Sequence, residues 1–292
     1  MKITLLTMLA LLAFAGNSIL CRLALGDNAI DAASFTAIRL LSGIIILTII
    51  LKVLPTQDTA FQKDTASSKG SWQAAFMLFL YALGFSYAYV SLDTGIGALI
   101  LFASVQITMI LIGLRSGNRL YAIEWLGVIV SFCGFVYLVF PELTSPSLMG
   151  FLLMAAAGIA WAFYTLAGKG SANPLSDTTY NFIRTLPFVI ILIAATTQYV
   201  NLSSAGVILA VLSGAITSGI GYAIWYMALD GLSGTQAAVV QLLVPVIAAV
   251  GGIAFADEVL SMRLVLSSII ILGGILMVVL GKNYKTMLKN SV

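Results

Sequence analysis

The sequence predicts an all-α integral membrane protein, with ten transmembrane helices arranged as two inverted five-helix repeats. Three observations predict it: the scarcity of charge, the succession of long apolar runs, and the match between the two halves. Of 292 residues, 61% are hydrophobic and 9% charged, and the mean hydropathy is +1.08. A soluble domain carries about 25% charged residues. So few charges cannot cover a soluble surface, which excludes a soluble globular enzyme, a nucleic-acid-binding domain and a disordered chain. Helices of about 20–22 residues fit roughly ten times into this length and leave about 75 residues for loops and tails.

The apolar runs, broken by polar or Pro/Gly-containing joints, follow in order. The first covers about 4–25 and the second about 32–54. Pro55 to Ser71 is the longest polar stretch and holds Asp58, Lys63, Asp64 and Lys69. The third run covers about 72–92. The fourth, about 95–114, opens through Asp93-Thr94-Gly95, and the fifth, about 120–140, ends at Pro141. The sixth covers about 148–169, the seventh about 178–198 and the eighth about 205–229. The ninth, about 234–256, opens through Asp230-Gly231, and the tenth, about 262–281, carries a short basic tail. These runs are apolar all round, as helices in lipid must be, and they lack the alternation of a membrane β-strand. Lys2, the run Ile3 to Leu12 and Ala13-Phe14-Ala15-Gly16 imitate a secretory leader. The repeat described next favours an uncleaved first span instead.

With the N-terminus in the cytoplasm and ten alternating spans, the inside receives Lys2, Lys52, Lys63, Lys69, Arg115, Arg119, Lys169, Lys282, Lys285 and Lys289. The outside receives only Arg22 and Arg263. This positive-inside bias supports both termini being cytoplasmic. Arg39 and Arg184 are left within spans. Ile38-Arg39-Leu40 matches Ile183-Arg184-Thr185, and Ala15-Gly16-Asn17 matches Ala160-Trp161-Ala162, both 145 positions on. Phe85 and Tyr89 match Tyr222 and Tyr226, and Leu92-Asp93 matches Leu229-Asp230, at a spacing of 137. Residues 1–143 and 144–292 thus form two repeats of one transmembrane domain. An odd span count in each places the two repeats in opposite orientations, the architecture of many secondary transporters, with a site near the midplane.

Gln241-Leu242-Leu243-Val244-Pro245-Val246, Gly251-Gly252, Asp257-Glu258 and Gly273-Gly274 carry a likeness to a known family. The chain resembles the EamA branch of the drug/metabolite transporter superfamily over nearly its whole length. That resemblance implies ten spans from two five-span repeats, a Pro in the ninth span, a Glu at its end, and export of metabolites, including amino acids. The first half departs from the pattern, with Gln106 at the position of the Pro and Arg119 at that of the Glu.

Arg39 and Arg184 lie roughly 10 Å inside their spans at 1.5 Å per residue, where an arginine is costly and a functional candidate. Each reads either as a gate or carboxylate-contacting group, or as a structural cation capping loop carbonyls. Phe85/Tyr89 and Tyr222/Tyr226 are i, i+4 stripes; Tyr81 extends the first, and Trp161 and Tyr164 give the sixth span an aromatic face. Such rings line a cavity for an amphipathic solute or an amino-acid ammonium, or else they pack the bundle. Asn17, Gln106 and Gln241 are polar groups within spans, candidates for the cavity wall or for interhelical hydrogen bonds. Pro245 removes a backbone donor, frees the carbonyl of Gln241 and predicts a bent, cavity-lining ninth span. Cys21 and Cys133 lie in apolar runs and read as buried small side chains.

Histidine is absent, and no Asp or Glu falls mid-span, so a central acid relaying protons is not expected. No cofactor, metal or nucleic-acid partner is expected. The partners are the lipid bilayer and a small-molecule substrate, and the chain is expected to act as a monomer in a bacterial inner membrane. The function these features predict is alternating-access export of small metabolites such as amino acids, aromatic or other neutral ones included. Efflux of drugs or toxic compounds is the alternative. An intramembrane enzyme lacks its catalytic constellation.

Overall fold

The computed structural model describes residues 2–53, 69–115, 122–139, 147–168, 171, 173–229, 231–232 and 240–290. Asp58, Lys63, Asp64, Arg119, Pro141, Lys169, Asp230 and Gly234 lie outside the described residues. The described residues are helical throughout, in the order α1 Lys2–Gly26, α2 Ala32–Val53, α3 Trp72–Tyr89, α4 Thr94–Arg115, α5 Ala122–Val139 and α6 Leu148–Gly168. There follow α7 Pro174–Arg184, α8 Leu186–Thr196, a 3-10 turn Thr197–Tyr199 and α9 Ser204–Leu212. A π-helical segment Ser213–Ile220 leads into α10 Gly221–Leu229, and α11 Leu243–Phe255 and α12 Met262–Asn290 close the chain. Among the described residues, six helical stretches are long and apolar enough to cross a membrane: Ile3–Gly26, Ala32–Val53, Thr94–Arg115, Leu148–Gly168, Pro174–Tyr199 and Ser204–Leu229. Ala122–Leu138, Leu243–Phe255 and Met262–Val278 are shorter apolar helices.

Large apolar side chains are exposed along the outer faces: Leu5, Leu12, Ile45, Ile49, Phe132, Ile190, Ile191 and Val250 among them. Asn17, Thr36, Arg39, Ser213 and Ser218 are buried instead. Apolar groups outside and polar groups inside suit a chain whose solvent is hydrocarbon, where each polar group must find its partner within the bundle. Cys21 is buried as expected, whereas Cys133 lies exposed on α5; α5 packs through its opposite, small face. There Gly127 meets the backbone of α12 so closely that a Cβ would stand 2.5 Å from the Gly274 carbonyl. The Ser131 hydroxyl donates to the carbonyls of Gly127 and Ile271, a small-residue contact typical of membrane helices.

Prolines break two runs that the sequence pattern reads as continuous. Pro187 stands in the first turn of α8, and the seventh run divides at Thr185, whose hydroxyl donates to the Phe182 carbonyl at 2.7 Å. Pro245 lies in the first turn of α11, after the cap at Leu242, where a missing N–H costs nothing. Among the described residues the ninth run is thus interrupted at Leu242, the residue after Gln241.

Loop contacts define two rims. At one, Ser91 meets Ser147 at 2.7 Å, and the loop before α2 is clasped to the loop before α9. At the other, the N-terminus of α3 meets α7, with Gly70 N–H donating to Asp177 and Ser71 N–H to Asn181, each at 2.8 Å. In the first clasp, Asp31 accepts from the N–H of Ser34 at 2.8 Å, capping α2, and from that of Asn201 at 2.9 Å. Its own N–H donates to the Asn201 carbonyl, and Ser203 N–H donates to the Ala29 carbonyl. Partial burial pushes the Asp31 carboxyl up, but the Ser34 and Asn201 donors outweigh it and hold the group below the usual aspartate value. With the folded value below the unfolded one, the stabilisation is complete above the ordinary aspartate value and is lost as pH falls through the folded value. Asp31→Ala is expected to cost about 0.5–2 kcal/mol at neutral pH. Thermal unfolding in detergent should show the wild-type advantage shrinking as pH is lowered into the acidic range. An advantage that does not change with pH would place the clasp elsewhere.

Candidate functional site

The centre of the bundle is built around a buried guanidinium. Arg39, on α2, is 1% exposed. Its Nε donates to the Ser218 hydroxyl at 3.1 Å, and its Nη2 to the hydroxyls of Tyr81 and Tyr222, each at 3.2 Å. Its carbon centre lies 5.2 Å from the Tyr81 ring centroid and 4.9 Å from that of Phe85, a cation–π arrangement on α3. Nη1 has no hydrogen-bond partner among the described residues, and the ion pairs present there join Arg22 to Asp93 and Glu258, not Arg39.

The partners of Arg39 come from both halves of the chain, and local structure brings them in. Tyr81 and Phe85 lie one turn apart on α3. Ser218 belongs to the π segment and Tyr222 to α10. The π segment is pressed against α2 at Gly214, where a Cβ would collide with the Arg39 carbonyl and the Ser42 hydroxyl. It also presents Ser213 and Thr217, whose hydroxyls donate to Asn17 Oδ1 at 2.6 and 3.2 Å. Asn17 Nδ2 in turn donates to the Tyr81 hydroxyl at 3.4 Å, and the Tyr222 hydroxyl donates to that of Tyr81 at 3.3 Å. π segments inside helices often accompany functional sites.

Beside this cluster lies a small cavity lined by Phe14, Asn17, Tyr81, Phe85, Leu101, Phe102, Trp161 and Tyr222. Its volume is about 10 Å³, room for about one water molecule. The rings fill the rest. Trp161 sits 4.7 Å from Tyr81 and 4.8 Å from Tyr222 between centroids, and Phe14 packs edge-on against Trp161, Tyr222 and Trp225. Any organic solute must part these rings to enter.

Five of the residues selected from sequence thus line one cavity: Asn17, Tyr81, Phe85, Trp161 and Tyr222. Arg39 stands one ring layer behind them. Tyr164 is buried against Trp161, at 5.3 Å between centroids, outside the cavity wall. Gln106, Gln241 and Pro245 are buried, but none is among the lining residues. Arg184, matched to Arg39 in the sequence, has different surroundings. It is half-buried, donates to the Lys69 carbonyl, and lies over Trp72 and Tyr180 at 5.8 and 6.0 Å. It ties α7 to the N-terminus of α3. Phe14, Phe102, Ser213 and Thr217 belong to the site without having been selected. The two phenylalanines have no mark in an apolar run, but the polar residues at 213, 217 and 218 within an apolar helix were a usable signal.

A second polar cluster closes the first rim. Arg22 at the end of α1 pairs with Asp93 and Glu258, each at 3.4 Å. Glu258 accepts from the N–H and hydroxyl of Thr94 at 2.7 and 2.8 Å. It thereby holds the segment after α11 to the N-terminus of α4. Among the described residues no group of His, Cys, Asp or Glu is arranged to hold a metal.

A bundle with an apolar exterior and a buried polar, aromatic centre is the form of an integral membrane transporter. Residues 148–280 match the EamA-like transporter family. An uncharacterized protein of Pseudomonas aeruginosa is 47% identical over 274 residues, spanning 94% of this chain and 93% of that one. An uncharacterized transporter of Archaeoglobus fulgidus is 26% identical over 211 residues, or 70% and 74% of the two chains. A protein crystal structure shares the fold at 16% identity, with a TM-score of 0.62 over 95% of this chain and 97% of that one. The chain belongs to the EamA-like transporter family.

Gly214→Ala is expected to push the π segment off α2 and to cost about 1–3 kcal/mol, the scale of an overpacked core. Thermal unfolding of the purified variant measures the loss. Wild-type stability would show that the π segment can move without disturbing Arg39.

Proposed function

We propose that the protein is a secondary transporter that exports small metabolites such as neutral amino acids, by alternating access around the Arg39 chamber. The observation that carries this reading is the joining of both halves of the chain at one buried polar centre, through Arg39, Tyr81, Ser218 and Tyr222. A centre shared by two halves is where relative rocking of those halves would open a path. On this reading residues 1–143 and 144–292 are two inverted five-helix repeats, and the chain crosses the membrane ten times. Helices α3, α5 and α11 and the apolar part of α12, Met262–Val278, then add four crossings to the six long ones. Support comes from the two rims, because the contacts at each join helix ends that alternate along the chain. Both termini are cytoplasmic in a bacterial inner membrane on the positive-inside argument, and the monomer is the working unit.

Asn17, Tyr81, Phe85, Trp161 and Tyr222 form the substrate wall on this reading, with Tyr164 packed behind Trp161, while Gln106 and Gln241 are buried away from the lining. Arg184 anchors the second rim, and Pro245 starts the helix that leads to the first. Efflux of lipophilic cations is disfavoured by the same geometry, since the centre presents a guanidinium where a cation would need an acid.

Proteoliposomes containing the full chain, challenged with a panel of radiolabelled amino acids, should carry at least one neutral member above empty vesicles. Arg39→Ala should reduce that flux about tenfold or more at equal protein abundance. Absence of flux across the panel would remove the amino-acid reading. Undiminished flux in the variant would remove Arg39 from the mechanism.

A further inference from the structure

The hydrogen-bond inventory of the chamber is unbalanced, and the imbalance names a ligand charge. A guanidinium only donates. Arg39 spends Nε on Ser218 and Nη2 on the two phenols, while Nη1 has no partner. Around the Tyr81 oxygen stand Arg39 Nη2, Asn17 Nδ2 and the Tyr222 hydroxyl, and a phenol that keeps its own proton can accept from two of them at most. One phenolic proton lies between Tyr81 and Tyr222; whichever ring supplies it, the other ring's proton has no acceptor among the hydrogen bonds described. The carbonyl oxygen of Asn17 accepts from Ser213 and lies within reach of Thr217, whose one proton also meets the Ser213 carbonyl, and no described hydrogen bond brings it a phenolic proton. Both phenols face the cavity. The chamber therefore holds surplus donors, a buried positive charge without a carboxylate partner among the described residues, and an apolar wall of Phe14, Leu101, Phe102 and Trp161.

Resting on the reading of this chamber as the transport site, we propose that it selects a compact apolar carboxylate. The anion is held by the hydroxyls of Tyr81 and Tyr222, with Arg39 behind them supplying the charge. A carboxylate is acceptor-only when ionised and supplies what the cluster lacks. An ammonium would face surplus donors and a like charge, and would have only ring faces to meet it. The ammonium of an amino acid is then tolerated at the aromatic wall and is not the group recognised.

Four probes with one ring test this: 3-phenylpropionate, phenylalanine, 3-phenylpropionamide and 2-phenylethylamine, titrated into the purified full chain with Trp fluorescence and thermal shift as readouts. Phenylpropionate is expected to bind about tenfold or more tightly than its amide, and the amine most weakly. Arg39→Gln should bring the ratio of acid to amide affinity toward one. The double variant Tyr81→Phe/Tyr222→Phe keeps both rings and should do the same, which preserves the test if the arginine variant does not fold. An amine bound as well as the acid overturns the proposal. So do equal affinities for acid and amide, an unchanged ratio in the tyrosine variant, or no binding by any of the four probes. Flux that prefers amines would overturn this inference and leave the transport reading standing, whereas selective binding of the acid with no flux of any solute would remove the transport reading alone.

Discussion

The cost of burying the Arg39 guanidinium governs the centre of this structure. Removing an ion from water costs several kcal/mol even after relaxation. Hydrocarbon supplies nothing in return, so the compensation must come from the bundle itself. It comes from Ser218, Tyr81 and Tyr222 by hydrogen bonds and from the faces of Tyr81 and Phe85. Those groups sit on α3, the π segment and α10, so satisfying one side chain fixes four elements of the two halves against each other. The π segment can approach α2 this closely only because Gly214 lacks a side chain. Asn17 is drawn into the same network by Ser213 and Thr217.

The same constraint connects packing to transport. A charge held by bonds across both halves resists their separation, while the rims are held by separate sets: Arg22, Asp93 and Glu258 at one end, Asp177, Asn181 and Arg184 at the other. On the proposed alternating-access reading, either rim opens by breaking its own polar ties. The aromatic rings between leave space for about one water, so admission of a solute and rearrangement of the rings are one event. In the proposed selection of a carboxylate, a solute that meets the donors around Arg39 offsets the bonds lost in that rearrangement. This differential interaction is what any ligand-driven conformational shift requires.

Much of the site was readable in the residues themselves. Arg39, Tyr81, Phe85, Trp161 and Tyr222 stand out as polar or aromatic groups well inside apolar runs, and four of them line one cavity beside the fifth. What could not be read was which of two matched residues is central. Arg39 and Arg184 have similar flanks in sequence, yet one is sealed among phenols and the other reaches the Lys69 carbonyl. The difference lies in neighbours distant along the chain. Phe14 and Phe102 were invisible for the opposite reason: an aromatic residue in an apolar run has the same appearance whether it faces lipid, core or cavity. The seventh run reads as continuous in the sequence pattern, although Pro187 carries the signal for the break at Thr185, since a proline cannot supply the helical N–H.

By itself the sequence determined that this chain lives in lipid, that it is helical, and that its scarce polar groups are worth examining. Those properties follow from composition and local periodicity, which act residue by residue. Only the tertiary structure decided that Arg39 is the shared centre, that Asn17 bonds to both Ser213 and Tyr81, and that the chamber holds more donors than acceptors. A hydrogen bond depends on a distance and an angle between groups as far as 183 positions apart, as for Arg39 and Tyr222, and no local pattern contains that information.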